Sequence, residues 1–89
     1  MYTVYVLRSL KDGKHYTGYT KDLARRLAEH NRGKTGSTRR RRPFVLVYFE
    51  SYENEESAKE REKYLKTGRG REELKEILRI HCNGAVPKW

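Results

Sequence analysis

The two runs Tyr2-Thr3-Val4-Tyr5-Val6-Leu7 and His15-Tyr16-Thr17-Gly18-Tyr19 lie on either side of Lys11-Asp12-Gly13-Lys14, and this arrangement fixes the start of the fold. Aromatic and β-branched residues on both alternating faces of the first run predict a central strand or one covered on both sides. The Asp-Gly turn makes the second run its return strand in a β-hairpin. A strict two-residue turn at Asp12-Gly13 would leave Tyr5 and Tyr16 on one face but about four residues, roughly 13 Å, apart. A connection of about six residues would bring them opposite, and we expect that longer connection because a shared role needs both phenols at one place.

Thr20 or Asp22 can cap a following helix over 21–31, in which Leu23 and Leu27 recur at i, i+4 and Asn31 with Gly33 closes the end. Residues 33–42 lack apolar periodicity and read as a loop, ended by Pro43 before the strand Phe44-Val45-Leu46-Val47-Tyr48-Phe49. From Asn54 to Lys66 a helical pattern returns, with Ala58, Glu62 and Leu65 on one stripe. Thr67-Gly68-Arg69-Gly70 is expected to break it. A last helix is expected from about Arg71 to His81, with Leu74, Ile77, Leu78 and His81 at core-facing spacing. The expectation is one α+β domain over residues 1–82 and a loosely ordered tail over 83–89.

A chain of 89 residues buries only about 60% of the surface its unfolded form exposes, too little for two cores. Charged residues (37%) outnumber hydrophobic ones (35%), so the core is thin and the active surface is expected to be shallow and open. Lys and Arg total 21 against 12 Asp and Glu, a net charge of +9, which makes nucleic acid the leading partner. Solubility alone would account for many charges but not for the excess of one sign. A membrane surface is disfavoured, because no helix sets basic residues opposite a strongly apolar face. Cys82 stands alone, which leaves no intramolecular disulfide and no cysteine set for zinc. No signal peptide or membrane-spanning run is evident, so a cytoplasmic location is expected.

On the first helix Arg26 and His30 border the buried stripe while Arg25 points away. There a guanidinium can grip a phosphate with little competition from water. Against this stands a plainer reading, in which Arg26 pairs with a glutamate and His30 settles at the helix end. Glu62 places a carboxylate in an apolar stripe and needs a partner. That partner is either Lys66 at i+4 or a divalent cation whose remaining positions are filled by water and substrate phosphate. Tyr5 and Tyr16 are either core aromatics or phenols pushed toward ionisation by a nearby cation, able to take a proton from water. Gly18 is expected to let a backbone or phosphate approach closely. Lys34, Arg39, Arg40, Arg41 and Arg42 form a flexible phosphate-tracking segment, with Lys66 a further DNA-binding cation. Nothing resembles a helix built to read base edges.

Together these residues resemble the GIY-YIG nuclease superfamily, specifically its small stand-alone bacterial members, over nearly the whole chain. The resemblance places the first motif's tyrosine on Tyr5, the second motif's tyrosine and glycine on Tyr16 and Gly18, the helix arginine on Arg26 and the following histidine on His30. The metal-binding glutamate falls on Glu62, four positions after Ala58. Thr3-Val4-Tyr5 stands where the naming Gly-Ile-Tyr would be, and Tyr16-Thr17-Gly18 where Tyr-Ile-Gly would be. An asparagine near the domain's end in some relatives has no clear equivalent. The segment 61–71 is similar to the single-domain branch.

What the resemblance implies is a three-stranded antiparallel sheet flanked by three helices, and hydrolysis of one phosphodiester bond with a single Mg²⁺ or Mn²⁺. Glu62 would hold the metal, Tyr5 would deprotonate water with Tyr16 assisting, Arg26 would stabilise the phosphate and His30 would orient the reactants. Larger relatives take their targeting from extra domains not expected here. The sequence supports a DNA endonuclease of low sequence preference. A non-catalytic nucleic-acid-binding module and a protein-binding α+β domain are the other two readings.

Overall fold

A computed structural model describes residues 1–33, 36 and 39–82, with the side chains of His81 and Cys82 outside that description. Three strands form one antiparallel sheet: β1 (Tyr2–Ser9), β2 (His15–Thr20) and β3 (Phe44–Tyr52) in the order β2-β1-β3. Helices α1 (Leu23–Asn31), α2 (Glu55–Leu65) and α3 (Gly68–Cys82) complete the α+β fold. The expected tail over 83–89 lies outside the described residues.

The first strand is central, as its apolar pattern on both faces requires, with Val4, Tyr5, Val6 and Leu7 all at most 1% exposed. Alternation along it divides the core in two. Val4 and Val6 meet Ala58, Leu65, Leu74 and Leu78 from α2 and α3. Tyr5 and Leu7 point to the opposite face, with Phe44 and Leu46, and pack against Leu23 and Leu27 of α1.

The hairpin takes a register between the two considered from sequence. Residues 10–14 connect the strands, Tyr5 lies opposite Gly18, and Tyr16 lies opposite Leu7. Buried Ser9 sets that register. Its hydroxyl accepts from the N–H groups of Lys11 and Asp12 at 3.1 and 3.2 Å, and the Asp12 carboxylate accepts from Lys14 N–H at 2.9 Å. Gly13, at φ +74°, supplies the left-handed turn position that glycine adopts without steric cost.

Asp22 caps α1 by accepting from Arg25 N–H, and Gly33, at φ +77°, follows its end as a left-handed terminator. Asn31 then ties α1 to β3, its amide donating to Phe44 C=O at 3.1 Å and its carbonyl oxygen accepting from Phe44 N–H at 2.6 Å.

The last helix begins earlier than its glycines suggest. Thr67 caps α3, its hydroxyl accepting from Gly70 N–H at 3.1 Å, so Gly68 and Gly70 lie inside the first turn. A Cβ on Gly70 would collide with the backbone carbonyl of Tyr64. The glycine there lets two helices meet at a tight corner; it does not end one.

The arginine run also departs from a plain loop. Arg39–Arg41 forms one 3-10 turn, held where the Ser9 hydroxyl donates to Arg41 C=O and Arg41 Nε donates to Asp12 at 3.1 Å. The Arg42-Pro43 peptide bond that follows is cis.

Candidate active site

The sheet face beneath α1 carries both phenols. Because Tyr5 and Tyr16 are diagonal neighbours across β1 and β2, their ring centroids lie 6.5 Å apart. Gly18 sits directly under the Tyr5 ring. A Cβ there would stand 2.5 Å from the Tyr5 hydroxyl and 2.7 Å from Cζ. The close approach seen at Gly18 is that of the Tyr5 side chain. Gly18→Ala is expected to displace the phenol and cost about 1–3 kcal/mol, read as a lower midpoint in urea denaturation.

The first helix delivers its cation and its imidazole to the same place. His30 is fully buried and its Nε2 lies 3.0 Å from the Tyr5 hydroxyl. The imidazole stacks edge-on with Tyr16 at 5.0 Å and Phe44 at 6.0 Å. His30 does lie in the last turn of α1, as the plainer reading has it, but there its ring is buried against the two phenols. Of the two readings considered for Arg26, the pair with a glutamate is present, with Glu29 at 3.2 Å; its guanidinium also lies close enough to the Tyr5 hydroxyl to act on it electrostatically. Arg25 points outward, its side chain 77% exposed.

The Tyr5 hydroxyl thus sits between the Arg26 cation and the His30 imidazole. A cation turned toward the phenol oxygen favours a phenol proton directed away from it, to His30 Nε2. This assigns the tautomer from the surroundings. Burial pushes the Tyr5 phenol up to about 12, Arg26 opposes, and Tyr16 and Glu62 add to the rise. With Arg26 as the one cation acting on it, the phenol stays protonated, because loss of solvent outweighs one guanidinium. Burial, and then the charge of Arg26, hold His30 below its ordinary 6.5, with Glu29 opposing. The imidazole is therefore neutral at pH 7 with a lone pair at Nε2.

Glu62 lies on α2 within electrostatic reach of Tyr5 and Tyr19, its side chain 19% exposed. Lys66 Nζ pairs with it at 3.5 Å and also sits 5.7 Å over the Tyr16 ring. Of the two partners considered for Glu62, Lys66 is the one found beside it. The pair to Lys66 is long and half-open to solvent, hence weak and readily exchanged for another cation. Among the described residues no three His, Cys, Asp or Glu side chains converge as a metal cage. What remains is one hard carboxylate at the rim, which suits a cation that keeps most of its water.

The cationic run divides by role. Arg39, Arg40 and Arg42 line a cleft of about 450 Å³ together with Lys11, whereas Arg41 is taken up by Asp12 and the Phe44 ring. Lys34 lies outside the described residues. Lys11 was not singled out from sequence. Sitting in the hairpin connection, it joins the arginines only because the 3-10 turn folds back onto Ser9.

Sequence reasoning also missed a polar cluster behind the site. Arg61 Nε and Nη2 donate to both oxygens of Glu50 at 3.0 and 3.1 Å, and Arg61 also meets Glu73 at 2.5 Å. Tyr48 and Tyr52 donate to Glu50 at 2.6 and 2.5 Å. Burial pushes Glu50 up, but Arg61 and the two phenols outweigh it and hold the carboxyl below its usual range. The cluster ties β3, α2 and α3 together and so fixes the helix that carries Glu62. A glutamate in the aromatic run 44–52 was its one sequence signal.

A family model described as the GIY-YIG catalytic domain matches residues 1–75. The chain is 40% identical over 75 residues to a UPF0213 protein of Staphylococcus saprophyticus, covering 83% of this chain and 90% of the relative. It is 47% identical over 64 residues to a UPF0213 protein of Clostridium perfringens, covering 71% and 68%. The solution NMR structure of a UPF0213 protein from Bacillus halodurans superposes with a TM-score of 0.53 at 40% identity, covering 86% of this chain and 85% of that one.

Proposed function

The chain belongs to the GIY-YIG family, a nuclease family, and from that premise we propose that it is a metal-dependent endonuclease acting on DNA with low sequence preference, in repair or recombination. The observation that carries the reading is the Tyr5–His30 hydrogen bond at 3.0 Å, with the Arg26 cation and the Glu62 carboxylate acting on the same phenol and Tyr16 beside it. A phenol between a cation and a neutral imidazole can act as a proton relay.

In this mechanism Arg26 turns from the Tyr5 oxygen to a non-bridging phosphate oxygen, where charge grows in the transition state. Its departure frees a lone pair on the phenol. A water attacking phosphorus loses a proton to Tyr5 oxygen while Tyr5 passes its own proton to His30 Nε2. The water oxygen forms the new P–O bond as the bond to the leaving oxygen breaks. Tyr16 borders the relay and holds the water in line. Glu62 is the residue that would hold Mg²⁺ or Mn²⁺, which when bound polarises the phosphate as a Lewis acid. Arg39, Arg40, Arg42 and Lys11 grip phosphates away from the cut.

Supercoiled plasmid is expected to become nicked circle with Mg²⁺ or Mn²⁺ and to stay intact in EDTA. Glu62→Gln is expected to need about tenfold more cation for the same rate, as a ligand or its supporting contact typically contributes 10–100-fold in affinity. Cutting indifferent to EDTA would refute the metal-dependent mechanism. A second reading, a module that binds nucleic acid without cutting it, is favoured by one observation: Tyr5 is 1% and His30 0% exposed. Tight DNA binding without cutting under any divalent cation would establish it.

A further inference from the structure

A second groove, of about 790 Å³, runs along the β2 edge between the hairpin and α3. Its composition differs from the arginine cleft. Leu65, Leu74 and Leu78 floor it, while Lys14, Arg71 and Lys75 stand on its rim. No aspartate or glutamate lines it among the described residues, and none of those three rim cations has an ion-pair partner there. Tyr16 and Lys66 also line the groove, and they touch His30 and Glu62 respectively. One end of the groove therefore opens at the proposed centre of chemistry.

We propose that this groove binds an unpaired stretch of polynucleotide, bases against the leucine floor and Tyr16, phosphates along Lys14, Arg71 and Lys75. A duplex shows only phosphate and sugar to such a rim and would leave the apolar floor unfilled. A single strand can turn its bases inward while its backbone stays with the cations. An acidic peptide satisfies the rim but has no flat apolar group for the floor. The volume lies within the roughly 300–1,000 Å³ of sites that engulf small ligands. The inference deepens the nuclease reading and rests on it for its consequence, that the strand cut lies at or beside an unpaired region.

The test is fluorescence anisotropy in EDTA, so that absence of cutting, which bears on the nuclease reading, leaves this measurement intact. The probes are labelled oligo(dT) of about 12 nucleotides, within the usual span of single-strand sites, a duplex of equal length, an abasic strand of equal length, and labelled polyglutamate. The native protein is expected to bind oligo(dT) more tightly than any of the others. Arg71→Gln with Lys75→Gln, both exposed on α3, is expected to weaken oligo(dT) binding about tenfold and to reduce the slope of log affinity against log salt by about 1.4, two contacts at about 0.7 each. Duplex affinity is expected to change less than about threefold, since its phosphates are gripped at the arginine cleft. Equal losses for duplex and single strand, an unchanged salt slope, or an abasic strand or polyglutamate binding as well as oligo(dT) would each overturn the assignment. Circular dichroism and melting of the double variant confirm that its fold is kept.

Discussion

Tyr5→Phe is expected to cut DNA about 10²–10⁴-fold more slowly than the native protein, the usual contribution of a positioned proton-transfer group. Phenylalanine fills the same space between Gly18, Tyr16 and His30, so what is lost is one hydroxyl, its hydrogen bond with His30 and its contact with the Arg26 cation. The structural cost of that loss is about 1 kcal/mol, or about 4–8 °C in melting temperature for a domain of this size. Rate and stability thus respond on different scales.

The pH profile identifies which group finally takes the proton. If His30 does, the native rate rises with pH as the imidazole deprotonates, with a midpoint below 6.5 because burial and Arg26 lower it, and is flat through neutrality. If a free Tyr5 phenolate were the base, the rate would climb steadily toward about 12. A rate still rising in proportion to hydroxide at pH 9, or a Tyr5→Phe protein as fast as the native one, would refute the relay.

Arg61→Ala is expected to lower stability by about 2–4 kcal/mol, somewhat under the 3–5 found when one partner of a fully buried ion pair is removed. The discount reflects side-chain exposures of 22% for Arg61 and 16% for Glu50. Removing the guanidinium leaves the carboxylates of Glu50 and Glu73 without the charge that both now share. Two phenols still donate to Glu50, but they carry no compensating charge. The fall corresponds to a melting temperature lower by about 8–32 °C. Adding Glu50→Gln to Arg61→Ala is expected to recover part of the loss, since a neutral amide no longer needs the cation. A melting temperature unchanged in Arg61→Ala would show that the cluster adds nothing to the fold.

Most of the secondary structure could be read from local pattern. The apolar run of β1 marks a central strand, Asp22 and Asn54 mark two helix starts, and Gly33 marks a helix end. Where reading failed, a residue was answering to something distant in sequence. Gly68 and Gly70 look like a break, yet they lie within α3 because Tyr64 C=O passes too close for a side chain. Ser9 carries no local signal, yet its hydroxyl ties the hairpin connection to the arginine turn. Gly18 looks like a gap for a ligand, and the gap is filled by Tyr5.

By itself the sequence determined the elements, their amphipathic faces, the excess of positive charge and the residues whose chemistry suits a phosphodiester, because each depends on neighbours within a few positions. Tertiary structure alone decided how those residues act. It set Tyr5 under Arg26 and against His30, raised the phenol and lowered the imidazole, divided the arginines between a cleft and an ion pair, and opened a leucine-floored groove beside them. Burial and hydrogen-bond direction are properties of groups that meet across the fold, and no local run of residues carries them.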